Sequence, residues 1–165
     1  LNITLVQAVS SGERMDFTLQ KSVELGVRAI QPIISERCVV RLSGERADKR
    51  VQRWQDIVIA ACEQSGRSMV PTVRPIVSFN DYLRQMPPEL HLMMSLRRAT
   101  TLRDIAPAPQ TLRLMIGPEG GWTPAEEQAA LDAGVQTITL GKRVLRTETA
   151  AMAAMAAMQV LWGDF

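Results

Sequence analysis

Hydrophobic positions recur with two different periods along the chain, and they divide it into alternating strands and helices. Apolar and β-branched residues run together, as in buried strands, at 3–9, 29–34, 72–77, 90–96, 112–116 and 136–140. Apolar residues recur every three or four positions, as in helices, at 13–25, 47–65 and 147–162. Such alternation predicts an α/β fold with a mainly parallel sheet and helices on both faces.

Local signals mark the ends of several helices. Gly26 and Gly66 each follow the last apolar position of a helix, where a left-handed residue commonly ends it. A further helix is predicted to begin after Thr123, because a proline follows this threonine directly and Glu126 follows it by three positions, which completes a capping box. We therefore expect one folded domain over residues 1–165.

Composition narrows the class of protein. Hydrophobic residues make up 46% and charged residues 22% of the chain, which excludes a disordered chain and a fibre. No apolar run is long enough to span a membrane, and no signal peptide is visible, so we expect no membrane partner. Two cysteines and one histidine cannot build a four-ligand zinc site or a disulfide framework, so we expect no metal and a cytoplasmic location.

Basic residues are concentrated in one segment, although the net charge is only +2. Seven basic and three acidic side chains lie between Arg28 and Arg53, and 16 of the 19 basic residues of the chain are arginine. Arginine suits bidentate contacts with phosphate, which favours RNA binding by residues such as Arg37 and Arg41. A solvated helix face with salt bridges explains the same pattern.

A glycine-rich turn is the most informative candidate site. Residues 116–122, with the sequence Ile-Gly-Pro-Glu-Gly-Gly-Trp, follow a predicted strand and precede the capped helix, which places them at the ligand-binding edge of an α/β sheet. A second polar loop, 140–148, follows the next strand. Motifs of nucleotide-binding P-loops, dinucleotide-binding folds, zinc proteases and serine hydrolases are missing, and the single His91 within a predicted strand is more typical of a structural residue.

Four blocks together resemble the small-subunit ribosomal RNA uridine-N3 methyltransferases, a family of the knotted SPOUT superfamily. They are 21–27 followed by 35–37, 63–67 followed by Pro71, 116–122, and 140–150. The resemblance implies a deep C-terminal trefoil knot, an S-adenosylmethionine pocket in the knot loops, and a homodimer packed through the knot. It also implies an N-terminal RNA-binding barrel, which we expect to be absent from this chain, so that the chain is a piece of a longer protein.

The resemblance also implies roles for particular residues. Arg146 would stabilise charge on the uracil, helped by Arg67 of the partner subunit, and Glu148 is the nearest candidate for the proton acceptor, with Glu119 or water as alternatives. Arg67 joins Arg37 and Arg41 as a candidate RNA contact. The cofactor loops map to these residues: Ser95, Leu96, Ile116, Gly117, Pro118, Glu119, Gly120, Leu140, Gly141, Leu145 and Arg146.

Two other functions stay open at this point. One is a related SPOUT enzyme that methylates a ribose 2′-hydroxyl or another base, and the other is an RNA-binding or dimerisation module without catalysis. The expected partner is small-subunit ribosomal RNA in an assembled or nearly assembled subunit. The Ala/Met-rich face of 152–162 is predicted to lie at a two-fold interface, although a core helix within one monomer explains these residues equally well.

Overall fold

A computed structural model describes residues 1–97 and 99–165 of the chain. Its strands are β1 (Asn2–Ala8), β2 (Ala29–Ile34), β3 (Thr72–Val73), β4 (Val77–Ser78), β5 (Leu90–Met94), β6 (Thr100–Thr101), β7 (Thr111–Ile116) and β8 (Gln136–Thr139). Its α-helices are α1 (Gly12–Glu24), α2 (Gly44–Ser65), α3 (Phe79–Arg84), α4 (Pro124–Asp132) and α5 (Thr147–Trp162). None of these helices is both long enough and apolar enough to cross a membrane.

The strands form a single parallel sheet. Seven follow the order β3-β2-β1-β7-β5-β8-β6, and β4 pairs with the far end of β2. All the described strand pairs are parallel, as the alternation of strands and helices predicted. The α/β fold class is therefore confirmed, whereas the threading of the chain through a knot stays a prediction.

The centre of the sheet is also the centre of the core. In the register of β1, Leu5 lies beside Ile30 of β2 and Leu114 of β7, and all three side chains are fully buried. Parallel strands covered on both faces are buried at successive positions, and every residue of β1 and β7 after the first is buried. Helix α1 packs against both α2 and α5.

The helix signals in the sequence are confirmed by the backbone. Gly26 and Gly66 adopt left-handed φ angles of 86° and 71°, so each ends its helix as expected. At α4 the Thr123 hydroxyl accepts a hydrogen bond from the Glu126 N–H (3.2 Å), and the Glu126 carboxylate accepts one from the Thr123 N–H (2.9 Å). The predicted capping box therefore fixes the start of α4.

Two predicted strands differ from the structure. The segment 72–77 is split into β3 and β4, because Pro75 has no N–H for the ladder and its carbonyl accepts instead from the Gln31 side chain. The segment 90–96 ends at Met94, because the Ser95 hydroxyl accepts the N–H of Arg97 and turns the chain. Helix α2 begins at Gly44, three residues before its predicted start.

His91 is part of the core rather than of a catalytic site. Its ring Nδ1 donates to the Glu89 carbonyl (2.8 Å), and Nε2 accepts from the Tyr82 hydroxyl (2.9 Å). Burial lowers the pKa of His91 below its ordinary value. The structural interpretation of this single histidine is therefore supported.

We expect His91 to make the stability of the fold depend on pH. The unfolded chain takes up a proton on this ring near pH 6.5, whereas the folded chain resists protonation until lower pH. The free energy of unfolding should therefore fall as the pH drops below about 7. His91→Asn, which keeps a donor for the Glu89 carbonyl but cannot titrate, should flatten this dependence in urea unfolding between about pH 8 and 5.5. Parallel curves for the two proteins would contradict the assignment.

Candidate active site

A cleft lies at the sheet edge where β5, β7 and β8 end. It has a volume of about 290 Å³, close to the lower limit of about 300 Å³ for small-molecule sites. Its walls come from the loops that follow these three strands, within 94–97, 116–122 and 139–147, and from Arg37, Glu127 and Ala150. The carboxyl edge of a parallel sheet therefore carries the candidate site, as the sequence predicted.

The loop after β7 is a tight turn that favours glycine at two positions, one for its backbone conformation and one for its close packing. The N–H of Gly121 donates to the Pro118 carbonyl (2.8 Å), and Gly121 has a φ of 68°, which other residues rarely adopt. A Cβ at Gly120 would lie 3.0 Å from the Cβ of Arg37. The two glycines therefore serve backbone geometry and close packing.

Glu119 fastens this loop to the start of α1. Its Oε1 accepts hydrogen bonds from the Ser11 N–H and hydroxyl, both at 2.8 Å, and from Arg14 at 3.3 Å. Burial by itself raises the pKa of Glu119, but the hydrogen bonds from the Ser11 and Glu119 backbone, the Ser11 hydroxyl and Arg14 outweigh it and hold the pKa below its ordinary value. The side chain is thus a charged anchor and a weak base.

The basic segment after β2 braces the same loop from the other side. Arg37 Nη1 donates to the carbonyls of Gly120 (2.9 Å) and Trp122 (3.3 Å). One residue earlier, the Glu36 N–H donates to the buried Glu126 carboxylate (2.8 Å), whose other oxygen caps α4. Two hydrogen bonds therefore join the arginine-rich segment to the glycine-rich turn, and a third joins it to the start of α4.

The loop after β5 is held by a carboxylate of α4. The Ser95 hydroxyl donates to Glu127 Oε1 (2.8 Å), and Arg97 Nη1 lies 3.7 Å from Glu127 Oε2. All three residues line the cleft. Glu127 stands in the first turn of α4, where the helix dipole favours a negative charge.

The start of α5 closes the remaining wall. The Thr147 hydroxyl donates to the Gly117 carbonyl (2.7 Å), which joins this helix to the loop after β7. Arg146, the residue before the helix, is exposed, and no ion pair to it is formed by residues 1–97 or 99–165. The Oε2 atom of Glu148 is buried and has no hydrogen-bond partner in the same part of the chain.

Comparison with known proteins identifies the family. The model of an RNA methyltransferase domain matches residues 1–159. A solved ribosomal RNA small subunit methyltransferase E from Neisseria gonorrhoeae, bound to S-adenosylmethionine, is 65% identical, with a TM-score of 0.95 over all of this chain and 69% of that one. The chain belongs to the ribosomal RNA small subunit methyltransferase E family.

A second member of the methyltransferase E family and a second solved structure support the same family assignment. A protein of this name from Buchnera aphidicola subsp. Schizaphis graminum is 37% identical over 99% of this chain and 67% of its own length. A structure from Legionella pneumophila with bound S-adenosylmethionine is 42% identical, with a TM-score of 0.95 over all of this chain and 68% of that one. The chain spans about two thirds of the length of the curated methyltransferase E proteins that it matches.

Most of the residues predicted for the methyltransferase E cofactor pocket meet in the cleft. Nine of the eleven line it: Ser95, Leu96, Ile116, Gly117, Pro118, Glu119, Gly120, Leu140 and Leu145. Gly141 lines a neighbouring groove instead, and Arg146 lies beside the cleft without lining it. Their roles in binding a cofactor stay predictions.

The other predicted methyltransferase E residues are more dispersed. Arg37 lines the cleft, whereas Arg41 does not, and Arg41 Nη2 donates to the Glu36 carbonyl (2.7 Å). Arg67 lies at the end of α2, where its Nη1 donates to the carbonyls of Val23 and Val27, both at 2.9 Å. The cleft of this chain therefore does not contain Arg67, and its catalytic role stays a prediction that needs a partner subunit.

Several cleft residues were missed in the sequence of this methyltransferase E member. Arg97, Glu127 and Thr147 line the cleft beside predicted residues, whereas Arg143, which also lines it, lies inside the predicted cofactor loop from Leu140 to Arg146. Arg97 and Thr147 each follow a predicted position directly, so extending each loop by one residue along the chain would have found them. Glu127 was not predicted, because it lies far along the chain from the predicted loop residues. Its neighbour Glu126 already accounted for a carboxylate at the start of α4 as part of the capping box.

Proposed function

We propose that this chain is the catalytic domain of an S-adenosylmethionine-dependent enzyme that methylates N3 of a specific uridine in small-subunit ribosomal RNA. The observation that carries the proposal is the cleft at the carboxyl edge of β5, β7 and β8, in a chain 65% identical to a methyltransferase E crystallised with S-adenosylmethionine. The membership of the family supports the RNA substrate, and the N3 position rests on the motif resemblance.

The lining of the cleft fits the chemistry of this cofactor. Leu96, Ile116 and Leu140 offer apolar surface for an adenine ring. Glu119 and Glu127 are acidic groups near which a sulfonium and an ammonium are favoured, and Arg143 can pair with a carboxylate. S-adenosylmethionine supplies an electrophilic methyl group on its sulfonium, so the protein must orient the uridine and manage one proton.

Arg146 and Glu148 are the side chains that we assign to that task. When the N3–C bond forms and the C–S bond breaks, the N3 proton must leave, and negative charge spreads onto the uracil carbonyl oxygens. The exposed guanidinium of Arg146 stabilises that charge, aided by Arg67 of the partner subunit. Glu148 accepts the proton, because its buried Oε2 has no partner in the described chain, whereas Glu119 is held as an anchor by Ser11 and Arg14.

The RNA contacts that we propose use Arg37, Arg41 and Arg67. In each of them, one guanidinium nitrogen donates to backbone carbonyls of the chain itself. Because a guanidinium has five N–H donors, each arginine keeps donors for phosphate. The target uracil must be unstacked to reach the cleft, which costs a few kcal/mol. The substrate is therefore an accessible uridine of an assembled or nearly assembled subunit, and the enzyme works in the cytoplasm.

The proposed function is tested by mapping modified nucleosides in ribosomal RNA. Small subunits from cells that lack the gene are incubated with the protein and S-adenosylmethionine, and the RNA is analysed by mass spectrometry. We expect one additional 3-methyluridine. A ribose-methylated nucleoside or another methylated base would identify a different SPOUT activity, and the absence of cofactor binding in calorimetry would leave only a non-catalytic module.

We expect Arg37→Ala to weaken the binding of S-adenosylmethionine even when RNA is absent. The substitution removes the brace on the Gly120 and Trp122 carbonyls, so the cofactor must order a looser loop. One hydrogen bond contributes about 1 kcal/mol, which corresponds to about a fivefold higher Kd in calorimetry. Arg41→Ala is the matched control, because the hydrogen bond that Arg41 forms among residues 1–97 and 99–165 goes to Glu36 in its own segment. Equal Kd values for the two variants would show that Arg37 does not hold the loop.

We also propose a homodimer, with α5 at the interface. Ala154, Met155 and Met158 are fully buried within the chain itself, so this side of α5 cannot face a partner. The opposite side exposes Val160 (65%) and Leu161 (41%), and these residues line an apolar groove of about 690 Å³. The expectation that the whole face of 152–162 lies at the interface is therefore too broad, and only its outer side is available.

A further inference from the structure

A buried relay of hydrogen bonds joins β1, α5 and the loop after β7. Gln7 is fully buried near the carboxyl end of β1, and its Nε2 donates to the Ala8 carbonyl (2.9 Å) and to the Thr147 hydroxyl (3.0 Å). The Thr147 hydroxyl donates in turn to the Gly117 carbonyl (2.7 Å). Thr147 and Gly117 both line the cleft.

The chemistry of the three groups fixes the direction of every proton in the relay. The Gly117 carbonyl can only accept, so the single hydroxyl proton of Thr147 points to it. The hydroxyl oxygen must then accept from Gln7, and the second amide hydrogen of Gln7 goes to the Ala8 carbonyl. The Oε1 atom of Gln7 has no hydrogen-bond partner among the described residues, so this side chain acts here through its two donors.

The relay holds the peptide bond between Gly117 and Pro118, whose carbonyl is its sole hydrogen-bonding group. Gly117 is followed by Pro118, which lacks an N–H, so the Gly117 carbonyl alone can orient the peptide plane where the loop leaves β7. The hydroxyl that donates to this carbonyl belongs to Thr147, which is the first residue of α5 and lies between Arg146 and Glu148. One hydroxyl therefore sets the distance between the glycine-rich turn and the start of α5.

We propose that Gln7 and Thr147 are positioning residues, which hold the cofactor loop and the catalytic start of α5 in register. The effect of these two residues on catalysis rests on the proposed function. Their effect on the structure does not depend on it, because the relay should order residues 117–122 whether or not a cofactor is bound. Neither side chain needs to touch the reacting atoms.

The decisive variant is Thr147→Val, which keeps the shape of the side chain and removes the hydroxyl. We expect the Kd for S-adenosylmethionine in calorimetry to rise at least about tenfold, equivalent to about 1.4 kcal/mol. Thr147→Ser restores the hydroxyl and should return the Kd to within about twofold of wild type. Hydrogen exchange of 117–122 without cofactor should be faster in Thr147→Val than in wild type.

Thr18→Val is the matched control. Thr18 is a buried threonine like Thr147, but its hydroxyl donates to the Arg14 carbonyl (2.8 Å) inside α1. This variant should lower the melting temperature without changing the cofactor Kd or the exchange of 117–122. A Kd that rises equally in both threonine variants would overturn the proposal, because general destabilisation would then explain it.

Gln7→Met tests the other end of the relay and remains informative if Thr147→Val folds poorly. Methionine is of similar length and donates no hydrogen bond, so the Thr147 hydroxyl keeps its bond to the Gly117 carbonyl but loses the donor that holds its oxygen in place. We expect a smaller rise in Kd, about threefold, and the double variant should bind as Thr147→Val alone does. Additive effects, or an unchanged Kd in Gln7→Met, would exclude a shared relay.

The two possible failures are distinguishable. A wild-type chain that binds no S-adenosylmethionine would refute the proposed function, and hydrogen exchange would still decide whether the relay orders the loop. A wild-type chain that binds the cofactor, with Thr147→Val equal to wild type in both Kd and exchange, would refute the relay and leave the proposed function standing.

Discussion

Arg146→Ala is expected to lower the rate of methyl transfer at least about tenfold, the effect of losing about 1.4 kcal/mol of transition-state stabilisation. The side chain lies exposed at the start of α5, beside the cleft rather than in its lining. It should therefore meet charge that develops on the uracil only as the N3 proton leaves. The affinity for S-adenosylmethionine should change less, because the cleft is formed by other residues.

Single-turnover rates and calorimetry together measure this split between rate and affinity. Arg146→Lys should recover only part of the rate, because an ammonium is a point charge and lacks the planar fork of arginine. Full turnover in Arg146→Ala would remove Arg146 from the chemical step. The same conclusion would follow if the loss of rate came entirely from weaker cofactor binding.

Val160→Arg is expected to convert the proposed dimer into a monomer, so that the mass from light scattering falls by about half. Val160 is 65% exposed on the outer side of α5, and an arginine buried there in both copies of a two-fold interface would lose its hydration without gaining a partner. If Arg67 reaches the cleft of the partner subunit, methyl transfer should fall together with the mass.

The matched control for this substitution is Val39→Arg. Val39 is 77% exposed and lies outside α5, so its replacement should leave the mass unchanged. A wild-type protein that already has the mass of a monomer at micromolar concentration would contradict the dimer. A dimer that persists in Val160→Arg would place the interface on another surface.

The sequence was most informative where the physical cause of structure is local. The apolar runs of β1 and β7 predicted buried parallel strands, and the capping box at Thr123 predicted the first residue of α4. The cleft was predictable for a similar reason, since a glycine-rich turn between a parallel strand and a helix must lie at the carboxyl edge of the sheet.

The parts that the sequence did not predict depend on contacts between distant residues. Strand β6 has two residues, which is too short to show any period, and the break between β3 and β4 inside the predicted segment 72–77 involves a hydrogen bond from the distant Gln31 side chain to Pro75. The anchor between Ser11 and Glu119 joins positions 108 residues apart, and the brace from Arg37 to Gly120 joins positions 83 apart. An exposed arginine in a basic segment indicates a nucleic-acid contact equally well, so only the tertiary structure shows its bond to the loop.

The position of β1 at the centre of the sheet has a consequence for synthesis on the ribosome. This strand is synthesised before its partner β7, which begins at Thr111, so one of the two edges of β1 stays unpaired until β7 has been translated. At about 5–20 residues per second, the delay is roughly 5–20 s. During that time an unpaired strand edge is available to other nascent chains, and chaperones that cover such edges should raise the yield of folded protein.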